Sequence, residues 1–321
     1  MAIEPIFVLS ISRSGSTLLQ RIIAAHDGVA TVSEPWLLLP LGYALRRKGI
    51  DAEYVHSLMV DAIEDFCDEL PGGKDDYLAE LRSAVLRLYG KAAPSDARYF
   101  LDKSPPYCLI AEEIMQLFPE GKFVFLWRNP LSVLASMVDT WGPWHPTLLS
   151  NELFVGLPRL IAAFESGRAR VHAIRFEDLV SGEEQSWHAL TRYLEIDFDP
   201  SALRDFAQVK LNGRMGDPTG VERYSSLSRE PAQKWRSTLG NPLRREWSRR
   251  YIRFLGAERL AVMGYDQAAL LAQLDRAPAH ATALVGDLGR LVEDVVKEPI
   301  RVRTRRRWIG APPVIRELLR A

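Results

Sequence analysis

Short apolar runs rich in β-branched and aromatic residues recur along the chain at Pro5 to Ile11, Tyr99 to Asp102, Lys122 to Arg128 and Val171 to Arg175. Segments of helical period separate them. Strands alternating with helices predict an α/β fold built on a central parallel sheet flanked by helices, a three-layer arrangement of P-loop-like type. The first strand feeds a loop, Ser12 to Ser16, and then a helix from about Thr17 to Ala25 that turns Leu18, Leu19, Ile22 and Ile23 inward. After the third strand, Asn129 and Pro130 stand as N-cap and first helical residue.

Between Leu37 and Ala97 the pattern offers two or three helices and no strand, an insertion large enough to form a lid or acceptor wall beside the sheet. Residues 207 to 240, rich in Gly, Pro, Ser and charge, read as a long ordered loop with a functional role. From about Gln267 Ala/Leu-rich helical segments lead to a basic end, where Lys297 to Ala321 holds 8 Lys/Arg against 2 Glu. The expected organisation is a main domain over 1–266 and a helical C-terminal extension with a basic tail over 267–321.

Composition narrows the picture only a little. The chain has 321 residues, enough for a sizeable core, and its 41 Lys/Arg balance its 41 Asp/Glu. Overall charge therefore gives no reason to expect nucleic acid as a partner, and any anion site must be local. Two cysteines, Cys67 and Cys108, are too few for a disulfide framework and suit buried free thiols in a reducing compartment. The first apolar run has no basic segment before it and no cleavage site after it, and nothing elsewhere approaches the roughly 20 apolar residues of a membrane span. A cytoplasmic protein is the expectation.

Chemistry enters with FVLSISRSGSTLLQRII, which sets a Gly/Ser loop after a buried strand and before a helix, so that backbone N–H groups and the helix N-terminus converge on one anion. It is not a Walker A loop, because Gly15 is followed by Ser16 and Thr17 where a Lys is required. In FVFLWRNPLSVLASM, Arg128 ends a strand and Ser136 lies about two helical turns beyond Pro130. Ligands of parallel sheets bind at the carboxyl ends of strands, so Arg13, Lys103 and Arg128 are expected at one crevice. Surface ion pairs to Asp102 or Glu34 are the structural alternative for these cations.

These motifs, in this order, resemble those of the PAPS-dependent sulfotransferases, most closely the bacterial, carbohydrate and protein-tyrosine branches. SISRSGSTLL is similar to the family's 5'-phosphosulfate loop, which implies that Arg13, Ser14, Gly15, Ser16 and Thr17 hold the 5'-phosphate and sulfate of 3'-phosphoadenosine-5'-phosphosulfate (PAPS). RNPLSVLAS resembles the 3'-phosphate motif, with Arg128 and Ser136 eight residues apart. Glu34 of VSEPW, 21 residues after Arg13, is similar to the catalytic base of the tyrosine branch, and Lys103 of DKSPP to its transition-state lysine. RFEDL, QKW and MGYD resemble later landmarks, so the likeness runs from about Ile3 to Asp266.

The resemblance extends loosely to LNGRMGDPTG as a 3'-phosphate loop, which assigns Arg214, Gly216, Ser226 and Lys234 to the nucleotide. No His occupies the position of the cytosolic branch's base. What the likeness implies is sulfuryl transfer to a hydroxyl, with carbohydrate or glycolipid acceptors ahead of phenols, steroids and tyrosyl peptides. By analogy with phosphoryl transfer, such a reaction needs positioning and fixed positive charge, and no metal site is expected. A P-loop kinase or NTPase, or an inactive nucleotide-binding interaction module, are the competing readings.

Other conspicuous residues have structural explanations. His26, His172 and His188 read as packed or solvated, and Trp187, Trp235 and Trp247 fall on helical spacing that suits a core. His145, in the stretch WGPWHP, could face a sugar or adenine as readily as pack. The basic tail is a candidate for peripheral contact with an anionic membrane or polymer, or a solvated segment.

Overall fold

A computed structural model describes residues 3–50, 52–141, 144, 151–182, 184–216, 227–228 and 233–292. Five parallel strands form one sheet: β1 (Glu4–Leu9), β2 (Val29–Thr31), β3 (Tyr99–Asp102), β4 (Lys122–Trp127) and β5 (Val171–Arg175). Their order is β2-β3-β1-β4-β5. β3 and β5 have the bounds expected from their apolar runs. β1 stops at Leu9, two residues short of the predicted Ile11, and β4 stops at Trp127, which leaves Ser10, Ile11 and Arg128 free to turn into the site. β2, three residues long, is too short to carry a strand pattern.

Both sheet faces are covered, which is why the strands read as continuous apolar runs rather than alternating ones. Ile6 and Val8 of β1 and Val124 and Leu126 of β4 face one core with helix α1 (Ser16–Ala24), where Leu18, Leu19, Ile22 and Ile23 are all buried. Phe7 and Leu9, with Phe123, Phe125 and Trp127, face the other. Phe7 stacks on Phe123 at 5.3 Å between ring centroids. Burial of a Phe or Leu side chain contributes about 1.5–3 kcal/mol, so the two faces together hold the sheet.

Among its described residues the insertion contains three helices, α2 (Leu39–Ala44), α3 (His56–Asp68) and α4 (Lys74–Ala92), and no strand. It is anchored by Tyr89 of α4, which stacks on Phe100 of β3 at 4.3 Å. On the same face, in the core that contains Phe7, lie α5 (Ala111–Leu117), α6 (Pro130–Trp141) and α7 (Leu157–Glu165). Asn129 caps α6 as its sequence implies, accepting from the N–H of Leu131 at 2.9 Å. Beyond β5 come α8 (Phe176–Ser181) and α9 (Glu184–Leu194).

A later helix, Pro242–Val262, kinks at Gly256, where φ is 76°. The helix Gln267–Arg276 packs against it and adds Leu270 and Leu274 to the core that contains Phe7. Trp187, Trp235 and Trp247 are buried, and both cysteines are buried and unpaired. No helix among the described residues is long and apolar enough to cross a membrane.

Candidate active site

The loop after β1 is shaped by two residues of positive φ. Gly15 (φ 90°) lets the chain turn into α1, and a Cβ there would lie 2.3 Å from the ring of Phe176. Arg13 (φ 66°) takes the same left-handed region without a glycine's freedom, so its neighbours must hold it there. Arg128, just past β4, donates from Nη1 to the Arg13 carbonyl at 2.7 Å. The Arg13 guanidinium donates from Nε to Ser136 Oγ on α6 at 3.1 Å. The two anion motifs of the sequence, more than a hundred residues apart, thus form one crevice over the ends of β1 and β4. Ser14, Ser16 and Thr17 are buried beside it, at the N-terminus of α1. Orphan amides and the helix dipole favour an anion at that point.

Beside the loop, β2 and β3 pair through Thr31 and Leu101, and each strand's continuation carries one charged group. Lys103 Nζ donates to Glu34 Oε1 at 2.7 Å and to Thr17 Oγ1 at 3.3 Å. The Lys103 side chain is 1% exposed and that of Glu34 10%, so the pair is not a surface salt bridge. Such a pair is retained more readily for position than for stability. Under it sits Asp102, fully buried, which accepts from Tyr89 Oη at 2.6 Å and Tyr107 Oη at 3.0 Å. Burial pushes the Asp102 carboxyl up to about 6 against the pull of those bonds and of Lys103. Tyr107 in turn accepts from the N–H of Leu38, and Ser104 Oγ from that of Trp36, tying the start of the insertion to the end of β3.

The sequence profile described as the Sulfotransferase family matches residues 5–200, more than half of the chain. The chain belongs to the sulfotransferase family. It is 27% identical over 296 residues to the nodulation protein NoeE of Sinorhizobium fredii, an alignment that covers 81% of this chain and 66% of NoeE. It is 24% identical over 244 residues to protein-tyrosine sulfotransferase 2 of Gallus gallus, covering 71% of this chain and 59% of that one. The chain thus spans somewhat less than two thirds of each. Among solved structures, the sulfotransferase domain from the curacin biosynthetic pathway superposes with a TM-score of 0.50 at 24% identity, over 74% of this chain and 91% of that one. That likeness concerns the fold, a parallel sheet flanked by helices.

The remaining candidates of this sulfotransferase are placed less centrally. Arg214 is exposed, and its loop lies against Ser33, the residue before Glu34: Ser33 donates from its amide to Asn212 O at 2.9 Å and from Oγ to the Met215 carbonyl. Gly216 allows that approach, since a Cβ there would lie 2.7 Å from Ser33 Oγ. Lys234 is held by Asp139 of α6 at 2.9 Å, one helical turn beyond Ser136. Ser226 and His145 lie outside the described residues, as does the basic tail. Trp144 is buried edge-on against Trp247 at 6.2 Å, so it packs in the core instead of facing a ligand.

Three residues at the site had no role in the sequence reading. Phe176, in the RFEDL segment, carries the Arg128 guanidinium at 4.2 Å from its ring centroid and closes over Gly15. Glu177 accepts from the Asn129 N–H at 3.0 Å and from Tyr265 Oη at 2.7 Å, which joins RFEDL, RNP and MGYD into one support behind Arg128. Glu152, on a single π-helical turn Asn151–Gly156, accepts from both the amide and the hydroxyl of Ser12. The first two were visible as motifs without a function, whereas nothing around Glu152 marks it.

Proposed function

We propose that this sulfotransferase moves a sulfuryl group from PAPS to an acceptor hydroxyl and releases 3',5'-diphosphoadenosine. One observation carries the reading: Arg13 is bonded to both halves of the Arg128 and Ser136 motif, at the mouth of the α1 N-terminus. The donor set fits a nucleotide with phosphate at two ends, because the loop amides stand with the hydroxyls of Ser14, Ser16, Thr17 and Ser136 and with the cations Arg13, Lys103 and Arg128. PAPS would supply an activated sulfuryl group.

In this reading the acceptor oxygen attacks sulfur in line as the bond from sulfur to the phosphate oxygen breaks. Glu34 takes the acceptor's proton. Lys103 and Arg13 stabilise the charge that grows on the equatorial and bridging oxygens, while Arg128 and Ser136 hold the 3'-phosphate. Because Lys103 contacts both Glu34 and Thr17, base and donor loop share one cation, and movement of Lys103 toward the sulfate would free Glu34 to accept a proton.

The acceptor class we favour is a carbohydrate or glycolipid hydroxyl. A tyrosyl peptide is the second reading, favoured by the similarity to a protein named for protein tyrosine. We further propose a cytoplasmic site of action, supported by the two buried free thiols, and contact of Lys297–Ala321 with an anionic membrane or polymer, supported by its charge. Calorimetry tests the donor: 3',5'-diphosphoadenosine should bind far more tightly than ATP with Mg²⁺ or AMP, and a preference for ATP would overturn the proposal. Radiolabelled PAPS offered with glycan, glycolipid, phenolic and peptide acceptors identifies the acceptor class. Vesicle binding by the chain truncated before Arg301 tests the tail.

A further inference from the structure

The donor loop is held from one side by an element that neither motif includes. Glu152 Oε2 accepts from the Ser12 amide at 2.5 Å and Oε1 from the Ser12 hydroxyl at 2.8 Å. Both oxygens of the carboxylate are thus spent on the single residue before Arg13. Arg13 needs such support, because a non-glycine residue at φ 66° lies in a sparsely populated region and persists only where its surroundings over-determine it. Its carbonyl is fixed by Arg128 and its guanidinium by Ser136. Ser12, the residue before it, is held through both its amide and its hydroxyl by Glu152.

The position of this carboxylate is electrostatically awkward, which argues that its geometry is wanted. Burial raises its pKa, the bonds from Ser12 oppose the rise, and the nearby Glu34 carboxylate adds to it. A second acidic group beside a loop suited to anions weakens anion binding, so a brace that served packing alone would be better built from a neutral side chain.

We infer that Glu152 is a positioning residue for sulfuryl transfer, a strut that sets the Ser12–Arg13 turn and so aims the Arg13 guanidinium at the reacting group. The inference rests on the proposed roles of the loop and of Arg13. Glu152 acts on the reaction through Arg13 and does not touch the reacting atoms. Its distinguishing consequence is a split between rate and affinity. Arg128, Ser136 and the α1 amides remain in place without it, whereas a misdirected Arg13 fails where charge develops.

The test compares Glu152→Ala and Glu152→Gln in the full chain, with kcat measured under saturating PAPS and acceptor and 3',5'-diphosphoadenosine affinity measured by calorimetry. Loss of charge-assisted bonds of this kind corresponds to a fall in kcat of roughly 10- to 100-fold for Glu152→Ala. Affinity for 3',5'-diphosphoadenosine should change by less than about threefold, within the small span left when the phosphate contacts persist. Gln should restore most of the lost rate, because its Oε1 accepts from the Ser12 amide and its Nε2 donates to the Ser12 hydroxyl. Ser12→Ala, which removes one of the two bonds, should fall between wild type and Glu152→Ala, and adding it to Glu152→Ala should cost little more.

Unchanged kcat in Glu152→Ala would overturn the inference, as would a Gln variant as slow as Ala or a loss confined to nucleotide affinity. If Glu152→Ala does not fold, the Ser12→Ala and Glu152→Gln rates decide on the same criteria. Failure of the wild-type chain to bind 3',5'-diphosphoadenosine would instead refute the donor assignment.

Discussion

Replacing Gly15 by Ala tests the donor loop at its tightest point. The new Cβ would lie 2.3 and 2.6 Å from two carbons of the Phe176 ring, well inside contact, and the residue would have to hold φ at 90°. A side chain in left-handed backbone costs about 1–2 kcal/mol, and overpacking of a buried site about 1–3 kcal/mol. The sum, roughly 2–5 kcal/mol, is a large part of an ordinary domain's stability. It also has a route to function. Phe176 is fully buried and carries Arg128 on its face, so a ring pushed away by the methyl group takes Arg128 off the Arg13 carbonyl.

Urea unfolding should therefore show a lower midpoint for Gly15→Ala with an unchanged slope, and calorimetry a fall of about tenfold or more in 3',5'-diphosphoadenosine affinity, the loss of one charge-assisted contact. A double-mutant cycle with Phe176→Ala isolates the clash. Phe176→Ala alone costs about 3–5 kcal/mol, but the double variant should be about 1–3 kcal/mol more stable than the sum of the singles. Additive losses, or a Gly15→Ala variant with wild-type stability and affinity, would refute the steric argument.

Other outcomes follow from the same geometry. Glu34→Gln should lower kcat by roughly 10² to 10⁴ while nucleotide affinity changes little, and a near-normal rate would move the base elsewhere. Ser136→Ala should cost about 1–3 kcal/mol of 3',5'-diphosphoadenosine binding and leave AMP binding unchanged, since AMP has no 3'-phosphate; equal losses for both ligands would remove Ser136 from that contact. Asp102 has its carboxyl raised from 3.8 to about 6, so the unfolded chain ionises first and stability is lost as pH rises from about 4 to about 6. That loss amounts to about 3 kcal/mol. Asp102→Asn, whose amide oxygen still accepts from the tyrosines, should flatten this part of the stability profile, and an unchanged slope would assign it to other groups.

The strands that deliver the site were legible because a parallel sheet covered on both faces writes continuous apolar runs. Their ends were read long by one or two residues, since Ile11 and Arg128 look like strand yet leave the ladder to form the crevice. Arg13, Lys103, Arg128 and Ser136 could be brought to one end of the sheet by topology alone. What topology could not supply was pairing. That Lys103 bonds Glu34 and Thr17 together, or that Phe176 supports Arg128, depends on side-chain reach across elements distant in sequence. Glu152 was invisible for a further reason: its turn is irregular, follows a Trp/Pro-rich stretch, and has no period to betray which side faces the loop. In the WGPWHP stretch, which the sequence left open between packing and facing a ligand, the ring of Trp144 completes a cluster with Trp247.

The insertion leaves the sheet past the C-terminal end of β2 and rejoins it at the N-terminal end of β3, so between two paired parallel strands it crosses from one end of the sheet to the other. Its two ends are therefore each fixed by the sheet, at opposite ends of two paired strands, whatever lies between them. Closing a longer excursion over fixed ends costs only about 0.6 kcal/mol for each doubling of length. Helices between residues 37 and 97 can in this sense be lengthened, shortened or exchanged as a cassette while the carboxylate and the ammonium keep their spacing, provided that Tyr89 stays to hold Asp102 beneath them. Chimaeras cut at Trp36 and Arg98 that retain Leu38 and Tyr89, the residues bonded to Tyr107 and Asp102, test whether this segment carries acceptor preference.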